Sequence, residues 1–171
     1  MPEGKVTVTP TFSKIEDTKP SKNGFDDVAS SDWFADAVKY VADKGMMNGT
    51  SKTTFGPNDS TTRGMIVTVL YRLENEPSAA AASFTDVVSG QYYTDAVAWA
   101  NANGIVTGYG NGKFGPNDVV TREQLAAILY RYAQYKKYDV SGANSLDGYT
   151  DVQSVSSYAV PALQWANAAG V

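Results

Sequence analysis

Neither cysteine nor histidine occurs among the 171 residues. Their absence removes thiol nucleophiles, zinc sites built on sulfur or imidazole, and the usual general base near neutral pH. No stretch reaches the roughly 18 apolar residues that a membrane-crossing helix needs, so no membrane insertion is expected. Positive charge is scarce as well: 14 Lys and Arg stand against 18 Asp and Glu, a formal charge of -4. That balance argues against nonspecific nucleic-acid binding, which needs a basic face. It still leaves room for a local cationic pocket and an anionic ligand. With 43% apolar and 19% charged residues, the chain reads as globular.

What the chain does have is repetition. Phe114-Gly-Pro-Asn-Asp-Val-Val-Thr-Arg-Glu-Gln-Leu125 echoes Phe55-Gly-Pro-Asn-Asp-Ser-Thr-Thr-Arg-Gly-Met-Ile66, 59 residues earlier and without a gap. Each copy runs from a glycine-proline turn into a threonine, an arginine and an apolar helical pattern. Thr121 and Gln124 fit a capping box, with the hydroxyl and the amide side chain each meeting the other's backbone N–H. Met65 stands where Gln124 does in the other copy, so Thr62 is expected to cap alone. Arg63 and Arg122 are thereby held at helix entrances, where they can meet an anion.

The units around these copies follow one plan. Phe25-Asp26-Asp27-Val28 and Phe84-Thr85-Asp86-Val87 each precede an aromatic-rich helix that ends at a glycine, Gly45 or Gly104. Ser31 or Asp32 is expected to cap the first helix, with Trp33, Phe34, Ala37, Val38 and Val41 on its apolar face. Met65, Ile66, Val69, Leu70 and Leu73 form the expected stripe of the second. A third opening, Tyr149-Thr150-Asp151-Val152, leads to a helix with Pro161 in its first turn, where proline is tolerated. Residues 25–77, 84–135 and 149–171 are thus expected to form two full repeats and the first half of a third. Residues 1–15 carry a β-like pattern, read as a strand closing an upstream β-rich domain, and 16–24 a linker.

The ordered set resembles the S-layer homology family: aromatic-x-Asp-Val, an aromatic-rich helix, Gly-apolar-x-x-Gly, Phe-x-Pro, then Thr-Arg heading a helix. The resemblance implies an all-α fold of helix–turn–helix repeats in a pseudo-threefold arrangement, with the short N-terminal strand outside it. It also implies a noncatalytic module that holds an exported protein on the envelope of Gram-positive and related bacteria. The implied partner is secondary cell-wall polysaccharide, often bearing pyruvate ketals; the implied location is extracellular, in the cell wall or S-layer. Neither cofactor nor metal is called for. Carried over residue by residue, the family's ligand-contacting Thr-Arg positions fall on Thr62, Arg63, Thr121 and Arg122. Its glycines after the first helix fall on Gly49 and Gly108, and its leading helix aromatics on Trp33, Tyr92 and Tyr158. Glu123, Gln124 and Gly64-Met65 depart from the family's Thr-Arg-Ala-Glu.

A pyruvate ketal carries a carboxylate, which matches the planar fork of arginine. Charged hydrogen bonds contribute about 1.5–3 kcal/mol when water is excluded, against roughly 0–1 kcal/mol for a solvated surface pair. The residues alone leave a second role open, in which Arg63 and Arg122 pair with Asp59 and Asp118 and stiffen the turn; the resemblance tilts the reading toward ligand contact. Trp33, Tyr92 and Tyr158 suit stacking on sugar faces, whereas Tyr40, Trp99 and Trp165 are expected in the core. Asp27, Asp86 and Asp151 suit turn formation better than ligand contact. The acids recur at turn positions, not as a pair across a cleft, so a glycosidase is not indicated. An EF-hand pattern is absent. The rival function is a protein–protein assembly module of a surface layer, including self-assembly, without direct glycan binding.

Overall fold

The computed structural model describes residues 24–171. The strand expected at 1–15 and nearly all of the linker at 16–24 lie outside the described residues. Within them the chain folds as five α-helices: α1 (Ala35–Asp43), α2 (Arg63–Leu73), α3 (Thr94–Ala102), α4 (Arg122–Tyr135) and α5 (Val160–Ala169). A single 3-10 turn, Val152–Ser154, precedes α5. The class is all-α, as the sequence predicts.

α2 and α4 are entered through capping threonines, whereas the N-cap position of α1 is Phe34, not the expected Ser31 or Asp32, and makes no side-chain cap bond. Thr121 Oγ1 accepts from the Gln124 amide at 3.3 Å, and Gln124 Oε1 accepts from the Thr121 amide at 3.4 Å. Thr62 does not cap alone: Met65 N donates to Thr62 Oγ1 at 3.3 Å, and Thr62 N points at Met65 Sδ at 3.5 Å. A thioether is a weak acceptor, but it closes the box that glutamine closes in the other copy. Gly45 and Gly104 follow the ends of α1 and α3 with positive φ, the conformation that lets the chain leave a helix there. Pro161 occupies the first turn of α5.

Packing runs between units: α2 lies on α3, and α4 on α5. The main core gathers Val67 and Leu70 of α2, Tyr93 at the entrance to α3, Val97 and Trp99 within it, and Ile128 and Tyr132 of α4, with Phe114 from the second connector. A smaller cluster of Phe25, Val28, Ala35 and Val38 holds α1, and Ala126, Ala127, Ala162 and Ala166 join α4 to α5. Small residues on that last seam let the two helices approach closely. Trp99 is in the core, and Trp165 packs on Tyr130 at 5.5 Å. Tyr40, expected inside, is exposed. The inward stripe of α1 is Ala35, Val38 and Ala42, so Trp33 and Ala37 fall on its outer side. In α2 the fully buried position is Val67, while Leu73 is exposed.

Two aspartates brace the connectors. Asp27 accepts from the amides of Phe55 and Gly56 at 2.8 and 2.7 Å, and Asp86 from those of Phe114 and Gly115 at 2.8 Å each. Burial raises the pKa of each carboxyl, but the paired amide donors outweigh it and leave both below their ordinary value. They are turn formers, which explains the fixed spacing from aromatic-x-Asp to Phe-Gly-Pro. The two connectors also meet one another. Thr62 and Val119 form an antiparallel bridge, flanked by Arg63 N to Asp118 O at 2.9 Å and Val120 N to Thr61 O at 3.0 Å. Gly64 N reaches Pro116 O at 2.8 Å, so close that a Cβ on Gly64 would stand 2.7 Å from that oxygen. Glycine is required there by backbone approach, and the departure from the family's alanine has a structural reason.

Candidate functional site

Arg63 enters α2 immediately after this bridge, and the bridge turns its side chain inward. It is 6% exposed. Its Nε donates to the Phe114 carbonyl at 2.9 Å, and its guanidinium carbon lies 4.6 Å from the Tyr109 ring centre and 4.8 Å from that of Phe114. Pairing with Asp59 is therefore not what braces it; a backbone oxygen and two aromatic faces do so. Asp118 in turn accepts from the Tyr109 hydroxyl at 2.9 Å, fixing one of those rings.

The stacked guanidinium faces a groove of about 450 Å³ lined by residues of all three units. Arg63, Gly108, Tyr109, Glu123, Arg131 and Tyr158 are among its walls. Three residues singled out in the sequence thus meet in one cleft, each from a different unit: Arg63, Gly108 and Tyr158. Gly108 has φ +70, and a Cβ there would lie 2.5 Å from the Lys113 carbonyl and 2.6 Å from the Phe84 ring. Its lack of a side chain is needed for the turn as well as for the groove wall. Gly49 is under the same constraint from Thr54 and Phe25, but it lines neither groove described here.

Glu123 closes the other side. Its carboxylate accepts from Ser156 N and Oγ, each at 2.9 Å, and from the Tyr158 hydroxyl at 3.1 Å. The Ser156 amide is the chief cause of its lowered pKa, so it stays ionised while tying α4 to the approach of α5. Burial, then the bond to Glu123, raise the Tyr158 hydroxyl; the charges of Arg63 and Arg131 act in the opposite direction. Tyr109 is likewise raised by burial and by Asp118, with Arg63 opposing. Both rings therefore present neutral hydroxyls at ordinary pH.

Thr121 and Arg122 line a second groove of about 510 Å³ beside α5, together with Tyr149, Asp151 and Asn167 and the apolar Leu146 and Leu163. Unlike Arg63, Arg122 is exposed, and among the described residues no aromatic ring stacks on it. Thr62 is spent on the bridge and the cap. Trp33 is 93% exposed and packs edge-on against Phe34, and Tyr92 does the same against Tyr93, so neither ring lines these grooves. Arg131 went unremarked in the sequence because it sits inside a periodic helical stretch, Tyr130-Arg131-Tyr132, with no motif around it.

No helix among the described residues is long and apolar enough to cross a membrane, and no group of acids there could hold a metal. Residues 24–64 and 83–126 match the family model for the S-layer homology domain. An endoglucanase of Bacillus sp. (strain KSM-635) is 35% identical over 153 residues, 89% of this chain and 16% of that protein. An amylopullulanase of Thermoanaerobacterium thermosulfurigenes is 32% identical over 140 residues, 79% of this chain and 7% of that protein. The S-layer protein sap of Bacillus anthracis is 30% identical over 128 residues, 74% of this chain and 16% of that protein. The chain thus spans 7–16% of the length of these relatives, and the two named as enzymes share with it only a minor part of themselves. Together with the twice-repeated turn-and-helix plan, the matches show that this chain belongs to the S-layer homology family.

Proposed function

We propose that this chain retains a larger exported protein on the bacterial cell envelope by binding acidic secondary cell-wall polysaccharide, and that units 25–77, 84–135 and 149–171 share the work. Family membership puts the chain at the cell surface in a noncatalytic, anchoring role. The observation that carries the glycan reading is the meeting of Arg63, Gly108 and Tyr158 in one groove. The guanidinium is fixed by ring stacking and one backbone bond, so its outer N–H groups are preorganised for a carboxylate. Tyr158 offers a ring face and a hydroxyl edge to a sugar. A ketal pyruvate on the sugar would supply the carboxylate. Modest affinity per groove suffices, since several grooves on one protein raise the effective strength.

The test is co-sedimentation of the protein with purified wall polymer, with and without chemical removal of ketal pyruvate. Retention should fall sharply once pyruvate is gone; undiminished retention would refute the carboxylate contact. The rival reading, an assembly module, draws on two exposed aromatics, Trp33 just before α1 and Tyr40 within it. Binding to purified S-layer protein but not to polymer would favour it.

A further inference from the structure

We propose that Arg131 is a second ligand-contacting cation of the Arg63 groove and a determinant of its specificity, selecting ligands that bring two negative charges. The proposal rests on reading this groove as an acidic-glycan site. The argument comes from comparing the chain with itself. At the spacing of 59 residues, Leu70-Tyr71-Arg72 on α2 corresponds to Leu129-Tyr130-Arg131 on α4. Arg72 is used structurally: its Nη1 donates to the Met46 carbonyl at 3.2 Å, and its Nε lies 3.7 Å from Glu76. In the second copy the place of Glu76 is taken by Tyr135, whose ring packs on Trp99 at 5.7 Å and offers no carboxylate. Among the described residues Arg131 has neither a hydrogen-bond nor an ion-pair partner, and it lines the groove. One arginine position has a structural task in the first copy and is released from it in the second.

The charged and titratable groups around the cleft are Arg63, Arg131, Glu123, Tyr109 and Tyr158. Glu123 is the opposing charge, but three donors from Ser156 and Tyr158 already meet its oxygens. Arg63 has its Nε committed to Phe114 and its faces to two rings, which leaves the outer edge of its fork open. Both arginine charges act on the Tyr158 hydroxyl, so they bear on one locality. A carboxylate satisfied by Arg63 alone would leave the guanidinium of Arg131 unpaired beside it. Two acidic centres, whether on one group or on neighbouring sugars, would engage both forks.

The experiment follows arginine side-chain N–H resonances by NMR while the whole protein is titrated with sulfate, succinate or acetate. Sulfate places both charges on one group, succinate separates them, and acetate carries one. At least one of the two dianions should bind about tenfold more tightly than acetate, moving the Arg63 and Arg131 signals together. Arg131→Gln should abolish that preference, Arg131→Lys should keep part of it, and Arg72→Gln should keep all of it while lowering the melting temperature. Equal binding of all three anions, or a preference that survives in Arg131→Gln, would overturn the proposal. Polymer co-sedimentation separates the two readings. A dianion preference without polymer retention would sink the anchoring function and leave the two-cation groove standing. Equal polymer retention by wild type and Arg131→Gln would overturn the role of Arg131 and leave anchoring intact.

Discussion

Replacing Arg63 with alanine tests whether the groove cation is also a keystone of the fold. The substitution removes a charged hydrogen bond to the carbonyl of Phe114, a residue that is itself fully buried, and strands that oxygen. A hydrogen bond to a charged group contributes about 1.5–3 kcal/mol. Two desolvated ring contacts at 4.6 and 4.8 Å add to this, at roughly 0.5–2 kcal/mol each. The total is about 3 kcal/mol or more, which for a chain of this size lowers the melting temperature by roughly 6–12 °C. Calorimetry or thermal circular dichroism reads this directly. Arg63→Lys keeps the charge but loses the fork, and should fall between wild type and alanine. A melting temperature for Arg63→Ala within about 2 °C of wild type would refute the bracing role and show that the bridge and α2–α3 packing hold the first two units unaided. Lost polymer binding in Arg63→Ala would therefore mix two effects, whereas Arg131 has no hydrogen-bond or ion-pair partner to lose among the described residues.

Three further outcomes are expected. Glu74 accepts from the Tyr132 hydroxyl and pairs with Lys136 at 2.9 Å, joining the ends of α2 and α4, and the Tyr132 bond chiefly holds its pKa below the ordinary 4.5. A carboxyl with a depressed folded-state pKa stabilises the fold above its unfolded value, and the gain is lost as pH falls through the folded one. Glu74→Gln should therefore melt roughly 2–4 °C below wild type at neutral pH, with the gap closing in acid; a gap that is unchanged at pH values below that of the folded carboxyl would contradict this. Gly64→Ala pushes a Cβ to 2.7 Å from the Pro116 oxygen and should cost about 1–3 kcal/mol in denaturant unfolding, and a neutral result would mean that the connectors can part freely. Trp33→Ser should change stability by less than about 0.5 kcal/mol, since that ring is 93% exposed; a larger loss would show that it packs.

Much of the local plan was legible in the chain. The threonine caps, the glycine stops after α1 and α3, and the role of Asp27 and Asp86 all depend on residues close by or on a fixed repeat spacing. Helix faces were less legible on α1 and α2, because the covered side depends on which neighbour docks there and not on a single apolar stripe. That is why Val67 is buried and Leu73 is not. The site was legible in part. Arg63, Gly108 and Tyr158 stand out by motif, but their convergence depends on which unit docks on which. The burial of Arg63 depends on the bridge between Thr62 and Val119, a pairing of distant segments that no local pattern announces. Arg131 matters through what its neighbourhood omits, a carboxylate at Tyr135, and becomes visible once the two copies are compared contact by contact.

Because α2 rests on α3 and α4 on α5, the natural seams of the molecule do not fall where its sequence repeats begin and end. Cutting the gene at a repeat boundary would slice through hydrophobic interior, not through a hinge. For a tether this arrangement has mechanical sense. A tug on one end cannot peel away a single repeat without also tearing it from the next, so the load spreads along the chain instead of concentrating at one link.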